Sequence, residues 1–248
     1  MRLSVSYRVN RLPLGYRMVV LSLIKEALRR SNEQYYKQLY EVNRHSMKPF
    51  STATYLRDFT YLEDEIHLKE LTITIGSHDM EFMLNLFNGL QQLHTYTTAG
   101  ETWKRVSMKM LKEATITSNT VYFSTLSPIL IESQEGKPVH PEDASYEKEF
   151  NYYASLRIRE LTGRDPFQTI QVKPISYQKT VVKEQNSVFL QQTASQKNSY
   201  LYFTAYRGTF KLIGHPEDLQ ILYYSGIGKR VSQGYGLLEY EREEGTLT

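Results

Sequence analysis

Apolar residues recur along the first half of the chain with two different periods, which predict strands and helices in turn. Alternation over MRLSVSYRV predicts a strand, and between Met18 and Arg30 the apolar residues fall on one helical face. A second helical stretch, with Ser31 as its predicted N-cap, carries Tyr36 and Tyr40. Further strands are predicted at PFSTATYL, IHLKELTITI and WKRVSMKML. A helix with Ser77 as its predicted N-cap separates the last two strands, so the order is strand, helix, strand, strand, helix, strand.

The second half repeats this order. A strand is predicted at TVYFSTLSPILI, and a helix from Tyr146 to Thr162 ends at Gly163. Strands follow at FQTIQVKPISYQKTVV and SYLYFTAYRGTFKLI. Pro216 opens the last helix, Gly226 ends it, and GYGLLEY forms the last strand. Two βαββαβ units in tandem predict an α+β protein of two ferredoxin-like (RRM-like) domains, which we expect at residues 1–116 and 117–248.

Composition and charge narrow the class of protein. The chain has 248 residues, enough for a large core, and no cysteine, which excludes a thiol nucleophile and fits a reducing, cytoplasmic compartment. Its longest apolar run, Met18 to Ile24, is far shorter than the roughly 20 residues of a membrane span, so we expect a soluble protein. The net charge of +3 permits an anionic partner. The 20 tyrosines offer faces for stacking, although packing on strand faces is the simpler explanation for any one of them.

Four glycines stand close together in the segment GIGKRVSQGYG, from Gly226 to Gly236. The segment is not a Rossmann loop, because position 231 is Val and because it follows a helix and precedes a strand. It is not a Walker A loop either, because Gln233 stands where that motif has glycine. The end of a helix accounts for the first glycine. It does not account for the second pair, which flanks Tyr235.

The arrangement Gly-hydrophobic-Gly, five residues, Gly-hydrophobic-Gly resembles the glycine-rich loop of the RAMP superfamily of CRISPR-associated RNA-binding proteins. The segment GTFKLIGHPEDLQILYYSGIGKRVSQGYGLLEY is similar throughout to the C-terminal signature of the Cas6 family, endoribonucleases that cut CRISPR precursor RNA within its repeats. LPLGYRMVVLSLIKEAL resembles the first helix of that family. KPFSTATYL is similar to its K-x-F-T-F-S-x-L segment, with departures at Ser51 and Ala53.

The resemblance implies that the glycine-rich loop binds the backbone of an RNA strand. Glycines allow backbone NH groups to approach phosphate oxygens, and the cations between them add charge. We therefore predict RNA contacts at Gly226, Gly228, Lys229, Arg230, Gly234, Tyr235 and Gly236.

Two predicted strands carry further cations. In WKRVSMKML, alternation places Arg105, Ser107 and Lys109 on one face and apolar residues on the other. QVKPISYQKTVVK contains Lys173 and Lys179. We predict RNA contacts for Arg105, Lys109, Lys173 and Lys179, against the alternative that charged strand faces are simply solvated.

His45 differs from the other histidines, because it follows the second helical stretch and precedes a strand. Its position alone fits an exposed loop histidine equally well. The resemblance implies that His45 is the general base or acid of the nuclease, assisted by a lysine and a tyrosine. Lys48 is the nearest lysine, with Lys37 as its rival, and the nearest upstream tyrosines are Tyr36 and Tyr40, one helical turn apart. Lys25, on the first helix, is predicted to face solvent.

The implied reaction uses the 2′-OH of the RNA and gives a 2′,3′-cyclic phosphate and a 5′-OH, so we expect neither a metal nor a cofactor. The expected partners are precursor and mature CRISPR repeat RNA and no membrane, while a homodimer and a place in a CRISPR effector complex stay open. Two alternatives remain at this point. One is a non-catalytic RAMP subunit of an effector complex, and the other is an unrelated tandem ferredoxin-like protein that binds a small phosphorylated ligand.

Overall fold

The computed structural model describes residues 1–63, 65–98, 100–185 and 200–245, and it contains both predicted units. The first half is a five-stranded antiparallel sheet in the order β3-β6-β1-β8-β7, with a separate small sheet in the order β2-β5-β4. The elements are β1 (Arg2–Arg8), β2 (Arg11–Pro13), α1 (Tyr16–Ser31), α2 (Glu33–Lys37) with a π-helical turn (Gln38–Val42), β3 (Phe50–Arg57), β4 (Thr60–Leu62), β5 (Glu65–His67), β6 (Glu70–Ser77), α3 (Met80–Gln92), β7 (Thr95–Thr98) and β8 (Glu101–Met110). Helices α1 and α3 pack against each other and share one core with the main sheet.

The second half is a four-stranded antiparallel sheet in the order β10-β11-β9-β12. Its elements are β9 (Thr120–Thr125), α4 (Tyr146–Thr162), β10 (Gln171–Gln185), β11 (Tyr200–Ile213), α5 (Pro216–Ser225), a 3-10 turn (Val231–Gln233) and β12 (Leu238–Glu243). In both halves the first strand of the βαββαβ unit lies between the third and the fourth. This order confirms the predicted tandem ferredoxin-like fold.

Two predicted strands are shorter than expected. IHLKELTITI is interrupted at Leu68, and its first part, β5, pairs with β2 and β4 rather than with the main sheet. TVYFSTLSPILI leaves its sheet after Thr125. Pro128 lacks the NH group that a strand ladder needs, and beyond it Ile129 makes an isolated bridge to Tyr206.

The N-caps of two helices lie one or two residues beyond the predicted serines. Asn32 caps α2 by accepting a hydrogen bond from the NH of Tyr35 at 3.0 Å. Asp79 caps α3 by accepting one from the NH of Phe82 at 3.0 Å. Ser77 belongs to the end of β6, where its hydroxyl donates to the carbonyl of Pro49. In both helices the side-chain oxygen of the cap accepts from the NH of the third helical residue, which has no intrahelical partner.

The two halves contact each other through β1 and β6 of the first and α5 of the second. The buried guanidinium of Arg2 lies 4.6 Å from the centre of the Tyr223 ring and 3.3 Å from a carboxylate oxygen of Glu239. At Gly76 a Cβ atom would come within 2.4 Å of the carbonyl oxygen of Tyr224, so glycine permits this close approach. The halves therefore share a closely packed interface.

The connection between the halves runs from the end of β8 at Met110 to the start of β9 at Thr120. Ile116 packs into the core of the second half, and our proposed domain boundary between residues 116 and 117 lies in this connection. Among the described residues, none of the helices has both the length and the apolar composition that a membrane crossing requires.

Candidate functional site

His45 lies on an exposed loop that follows the π-helical turn and leads into β3. The Nε of Arg44 donates a hydrogen bond to Nε2 of His45 at 2.9 Å. Upstream, the rings of Tyr36 and Tyr40 lie side by side with their centres 5.4 Å apart, as their spacing predicted. The loop thus presents an accessible imidazole that is hydrogen-bonded to an arginine, and it follows a helical segment with two paired tyrosines.

The side chain of Lys48 orders this loop by donating hydrogen bonds to its backbone carbonyls. Its Nζ donates to the carbonyl oxygens of Leu39 at 2.8 Å, Asn43 at 2.7 Å and Ser46 at 3.0 Å. Carbonyls at the end of a helix lack intrahelical donors, and here the ammonium group supplies them. Burial lowers the pKa of Lys48, and the nearby Lys25 lowers it further. The amine therefore points into the loop and orders the segment that carries His45.

The helical position of Lys25 predicted a side chain that faces solvent, but in the structure its amine packs beside an aromatic ring. Its Nζ lies 4.6 Å from the centre of the Tyr40 ring, and the Nζ of Lys48 lies 5.4 Å from the same ring. The hydroxyl oxygen of Tyr40 is buried without a hydrogen-bond partner among the described residues, and burial raises the pKa of this phenol. By contrast, Lys37 pairs with Glu33 at 3.0 Å on an exposed helix face. Lys25 and Lys48 thus lie beside the same tyrosine ring, whereas Lys37 is paired with Glu33.

The four glycines of the glycine-rich loop are buried, and each has a positive φ. The NH of Ile227 donates to the carbonyl of Gly236 at 3.0 Å, so the two Gly-x-Gly segments lie against each other. A Cβ atom at Gly236 would lie 1.8 Å from the carbonyl oxygen of Ile227. The NH groups of Lys229 and Gly236 donate to the carbonyls of Leu130 and Pro128. The glycines therefore serve close packing. The expectation that they offer their NH groups to phosphate is wrong for Gly226 and Gly236, whose NH groups donate to the carbonyls of Leu222 and Pro128.

The predicted RNA contact at Tyr235 is contradicted by its burial. Its side chain is 0% exposed, and its hydroxyl donates to a carboxylate oxygen of Glu184 at 3.1 Å. It packs with Leu130 and Val182 in a small apolar cluster that supports the loop from beneath. A ring without exposed surface cannot stack on a base.

Lys229 and Arg230, which were predicted to contact RNA, are among the more exposed residues of the loop. Lys229 is partly exposed, and its Nζ pairs with the carboxylate of Glu132 at 2.5 Å. Arg230 has a left-handed backbone with φ of 59°, and its guanidinium lies 4.3 Å from the centre of the Phe203 ring. Each cation therefore already has a protein partner that an anionic ligand would share or displace.

A β-bulge in β8 separates residues that were predicted to share one face. The register shifts so that Ser107 lies opposite Ser6 and Arg105 lies opposite Tyr7. Arg105 consequently turns to the helix-covered face, where its guanidinium donates to the carbonyl of Leu90 at the end of α3. Lys109 stays exposed on the opposite face. The predicted common face of Arg105, Ser107 and Lys109 is therefore wrong.

A second bulge divides the cations of β10. Lys173 lies opposite Lys211 and Lys179 lies opposite Tyr206, with the register shift at Ile175 between them. Lys211 and Tyr206 belong to opposite faces of β11, since their positions differ by an odd number and side chains alternate along a strand. Lys173 and Lys179 are both exposed, but they cannot contact the same side of a ligand.

Sequence analysis missed a groove of about 590 Å³ between the halves. Three cations line it: Arg17, Lys183 and Arg207. Three of the aromatic residues in its walls are exposed: Tyr55, Phe59 and Tyr61. No Asp or Glu occurs among the described residues that line this groove. Burial lowers the pKa of Arg207, and Arg17 lowers it further. We call this feature the basic aromatic groove. Its members lie far apart in sequence, so no local pattern predicted it.

The groove adjoins the glycine-rich loop. A Cβ atom at Gly234 would lie 3.0 Å from Cδ of Arg17, and the Arg17 guanidinium lies 5.8 Å from the centre of the Tyr235 ring. The 3-10 turn of the loop packs on α1 and β3. Strand β3 connects the His45 loop at its start with the groove at Thr54–Leu56. The exposed histidine, the glycine-rich loop and the groove thus lie along one strand.

Comparison with known proteins identifies the family. The profile described as CRISPR associated protein Cas6, C-terminal, matches residues 111–240, more than half of the chain. This region includes the glycine-rich loop and excludes His45. A search of curated proteins by sequence found no significant match.

Solved structures share the fold over the whole length. A protein described as a RAMP protein binding different RNA substrates has a TM-score of 0.75 at 18% identity, with 98% of this chain and 100% of that chain covered. The product of a Cas6-related gene from Pyrococcus furiosus has a TM-score of 0.77 at 19% identity, with the same coverage. A CRISPR associated protein Cas6 has a TM-score of 0.71 at 16% identity, covering 98% of this chain and 99% of that one. With the family profile matched over more than half of its length, this chain belongs to the Cas6 family of CRISPR-associated proteins.

Proposed function

We propose that this protein is a metal-independent endoribonuclease that binds CRISPR repeat RNA and cuts the precursor transcript within its repeats. The observation that supports this most directly is the exposed imidazole of His45 on a loop ordered by Lys48, in a chain of the Cas6 family. The basic aromatic groove along the same strand suits a single-stranded nucleic acid. Phosphates meet its cations and bases stack on its exposed rings.

In the proposed reaction the RNA supplies its own nucleophile, a 2′-OH. Because Arg44 donates to Nε2 of His45, that nitrogen carries the lone pair and accepts the 2′-OH proton when RNA displaces Arg44. The 2′-oxygen bonds to the adjacent phosphorus, and the bond from phosphorus to the 5′-oxygen breaks. Water or the hydroxyl of Tyr36 protonates the leaving oxygen. The products are a 2′,3′-cyclic phosphate and a 5′-OH.

Positive charge around the loop would stabilise the phosphate as it gains negative charge. Arg44 is exposed beside the imidazole, and the amines of Lys48 and Lys25 lie beside the Tyr40 ring, upstream of the loop. Groups of this kind contribute about 2.7–4 kcal/mol in comparable oxyanion sites. Burial raises the pKa of Tyr40, so its hydroxyl keeps its proton and does not serve as the general base.

The RNA path we propose follows β3. From Phe50 to the groove residues Thr54–Leu56 is four to six residues, or about 13–20 Å of extended strand. An RNA cut at His45 could therefore pass the glycine-rich loop and place nucleotides near the cut in the groove. Lys229 and Arg230 remain proposed contacts at the loop, and Lys109, Lys173 and Lys179 remain proposed contacts on exposed strand faces.

A non-catalytic RAMP-type RNA-binding subunit is the second candidate. It is favoured by one observation, the commitment of the Lys48 amine to loop carbonyls rather than to the open side of the site. In that case the protein would act within a CRISPR effector complex and hold RNA without cutting it.

Incubation of the purified protein with CRISPR repeat RNA in EDTA distinguishes the two candidates. A single cut with a 2′,3′-cyclic phosphate end supports the endoribonuclease. Tight binding without a cut supports the RNA-binding subunit. Failure to bind repeat RNA would contradict both candidates.

A further inference from the structure

Arg157 is a buried cation in the second half that reaches the His45 loop of the first. It lies on α4, and 1% of it is exposed. One terminal nitrogen of its guanidinium, NH1, donates to the carbonyl oxygen of Lys48 at 2.6 Å and lies 3.9 Å from the sulfur of Met47. The other, NH2, donates to the carbonyl oxygen of Ser225 at 2.6 Å. The guanidinium therefore bridges two segments that are distant in sequence.

Stability alone does not explain this arrangement. Among the described residues no carboxylate forms an ion pair with Arg157, and its Nε has no hydrogen-bond partner. Burial lowers the pKa of the guanidinium to about 9, which reflects the cost of holding the charge away from water. Apolar replacements of buried charged groups are often neutral or stabilising. Because burial of this guanidinium costs free energy, its hydrogen bonds to two backbone carbonyls fit a role in fixing the positions of those carbonyls.

The two carbonyls belong to the two candidate RNA-contacting segments. Lys48 ends the loop that carries His45, and its side chain already fixes the loop from within. Ser225 is the last residue of α5, directly before Gly226 and the glycine-rich loop. The planar fork of an arginine holds two acceptors in fixed directions, which a lysine amine does less well. Arg157 thus links the loop of the first half to the start of the loop in the second half.

We propose that Arg157 is a positioning residue, which holds the His45 loop in register with the glycine-rich loop so that RNA bound by the second half reaches the imidazole in a reactive geometry. This inference rests on the proposed endoribonuclease function. Arg157 is buried and does not contact the RNA. Its effect therefore falls on the cleavage step and not on RNA affinity.

The test compares Arg157→Met, Arg157→Lys and the matched control Arg159→Met. Arg159 lies two residues further along α4, on the exposed side, and pairs with Asp165. We expect Arg157→Met to slow single-turnover cleavage at saturating repeat RNA by about 10²-fold, since small misplacements of reacting groups cost this much. The dissociation constant for RNA should stay within about threefold, because an interaction lost only in the cleavage step leaves ground-state binding unchanged. We expect Arg157→Lys to be intermediate, and Arg159→Met to cut at the wild-type rate.

Hydrogen exchange without RNA tests the link independently of cleavage. Amides of residues 43–48 should exchange faster in Arg157→Met than in wild type or Arg159→Met, while those of β1 and α3 stay unchanged. If Arg157→Met does not fold, Arg157→Lys decides by the same two measurements. Unchanged cleavage or unchanged exchange of the loop overturns the proposal. If wild-type protein cuts no repeat RNA, the proposed function fails, and hydrogen exchange alone decides whether Arg157 fixes the loop.

Discussion

Lys48 shows how one residue can serve a site through two different groups. Its ammonium fixes the loop from within, and its carbonyl accepts a hydrogen bond from Arg157 of the other half. The sequence indicated Lys48 by its nearness to His45 along the chain and by family resemblance, and in the structure its amine bonds to carbonyls of the loop. The direction of the amine depends on the carbonyls that the π-helical turn leaves unpaired, which no sequence pattern records.

His45→Ala tests the assignment of the imidazole. We expect cleavage of repeat RNA to slow by about 10²–10⁴, the range for loss of a general acid or base, with RNA affinity unchanged. The matched control is His140→Ala, since His140 is an exposed histidine that packs against Tyr177 and Tyr206, away from the site. Normal cleavage by His45→Ala would show that the loop histidine is not catalytic.

Tyr235→Phe tests the assignment of the loop tyrosine to the core. The change removes the hydrogen bond to Glu184 and keeps the ring, so we expect the free energy of unfolding to fall by about 1–3 kcal/mol. RNA affinity should not change, because the ring has no exposed surface. A clear loss of affinity in a stably folded variant would instead support the RNA contact that the sequence predicted.

At the scale of the elements, strand positions were predicted well and strand faces less well. Alternation located β1, β3 and β8, because a strand packed on a core keeps its period of two. The bulges at Val106 and Ile175 add one residue each and exchange the faces beyond them. Pro174 stands directly before the bulge of β10, and a proline inside a strand is typical of a bulge or an edge strand. In β8 no residue type signals the bulge. Arg105 was consequently assigned to the RNA although it caps α3.

The glycine-rich loop gives a prediction about packing between its two ends. Gly236→Ala should lower the free energy of unfolding by about 2–5 kcal/mol, because the strain of positive φ and the clash with the Ile227 carbonyl add. Gly136→Ala is the control, since Gly136 also has positive φ but open space around it. We expect it to cost about 1–2 kcal/mol. Equal losses in chemical denaturation would contradict the packing role.

The basic aromatic groove predicts a change in the salt dependence of RNA binding. Arg207→Ala should weaken binding of single-stranded repeat RNA and reduce the slope of log K against log salt by about 0.7, the loss of one phosphate contact. Arg159→Ala, which removes an exposed, ion-paired arginine elsewhere, should leave the slope unchanged. An unchanged slope in Arg207→Ala would mean that the RNA does not occupy the groove.

At the scale of the whole molecule, the tandem fold was predicted because the strand and helix periods of the apolar residues follow the same order in each half. The relative position of the halves was not, because it depends on contacts between distant residues such as Arg2 with Tyr223 and Gly76 with Tyr224. The groove and the Arg157 bridge both arise at this interface. The residue types of the candidate site were thus visible in the sequence, and their arrangement along one strand was not.

In the proposed mechanism the protein catalyses the attack of an RNA 2′-OH on the adjacent phosphate. The most direct measurement compares two repeat RNAs in EDTA under single-turnover conditions. They are identical except for one 2′-deoxy residue on the 5′ side of the cut. We expect the all-ribose RNA to be cut once, to a 2′,3′-cyclic phosphate, and the deoxy RNA to bind equally well and stay intact. Cleavage of the deoxy RNA at the same site, or a strict requirement for a divalent metal, would contradict the account.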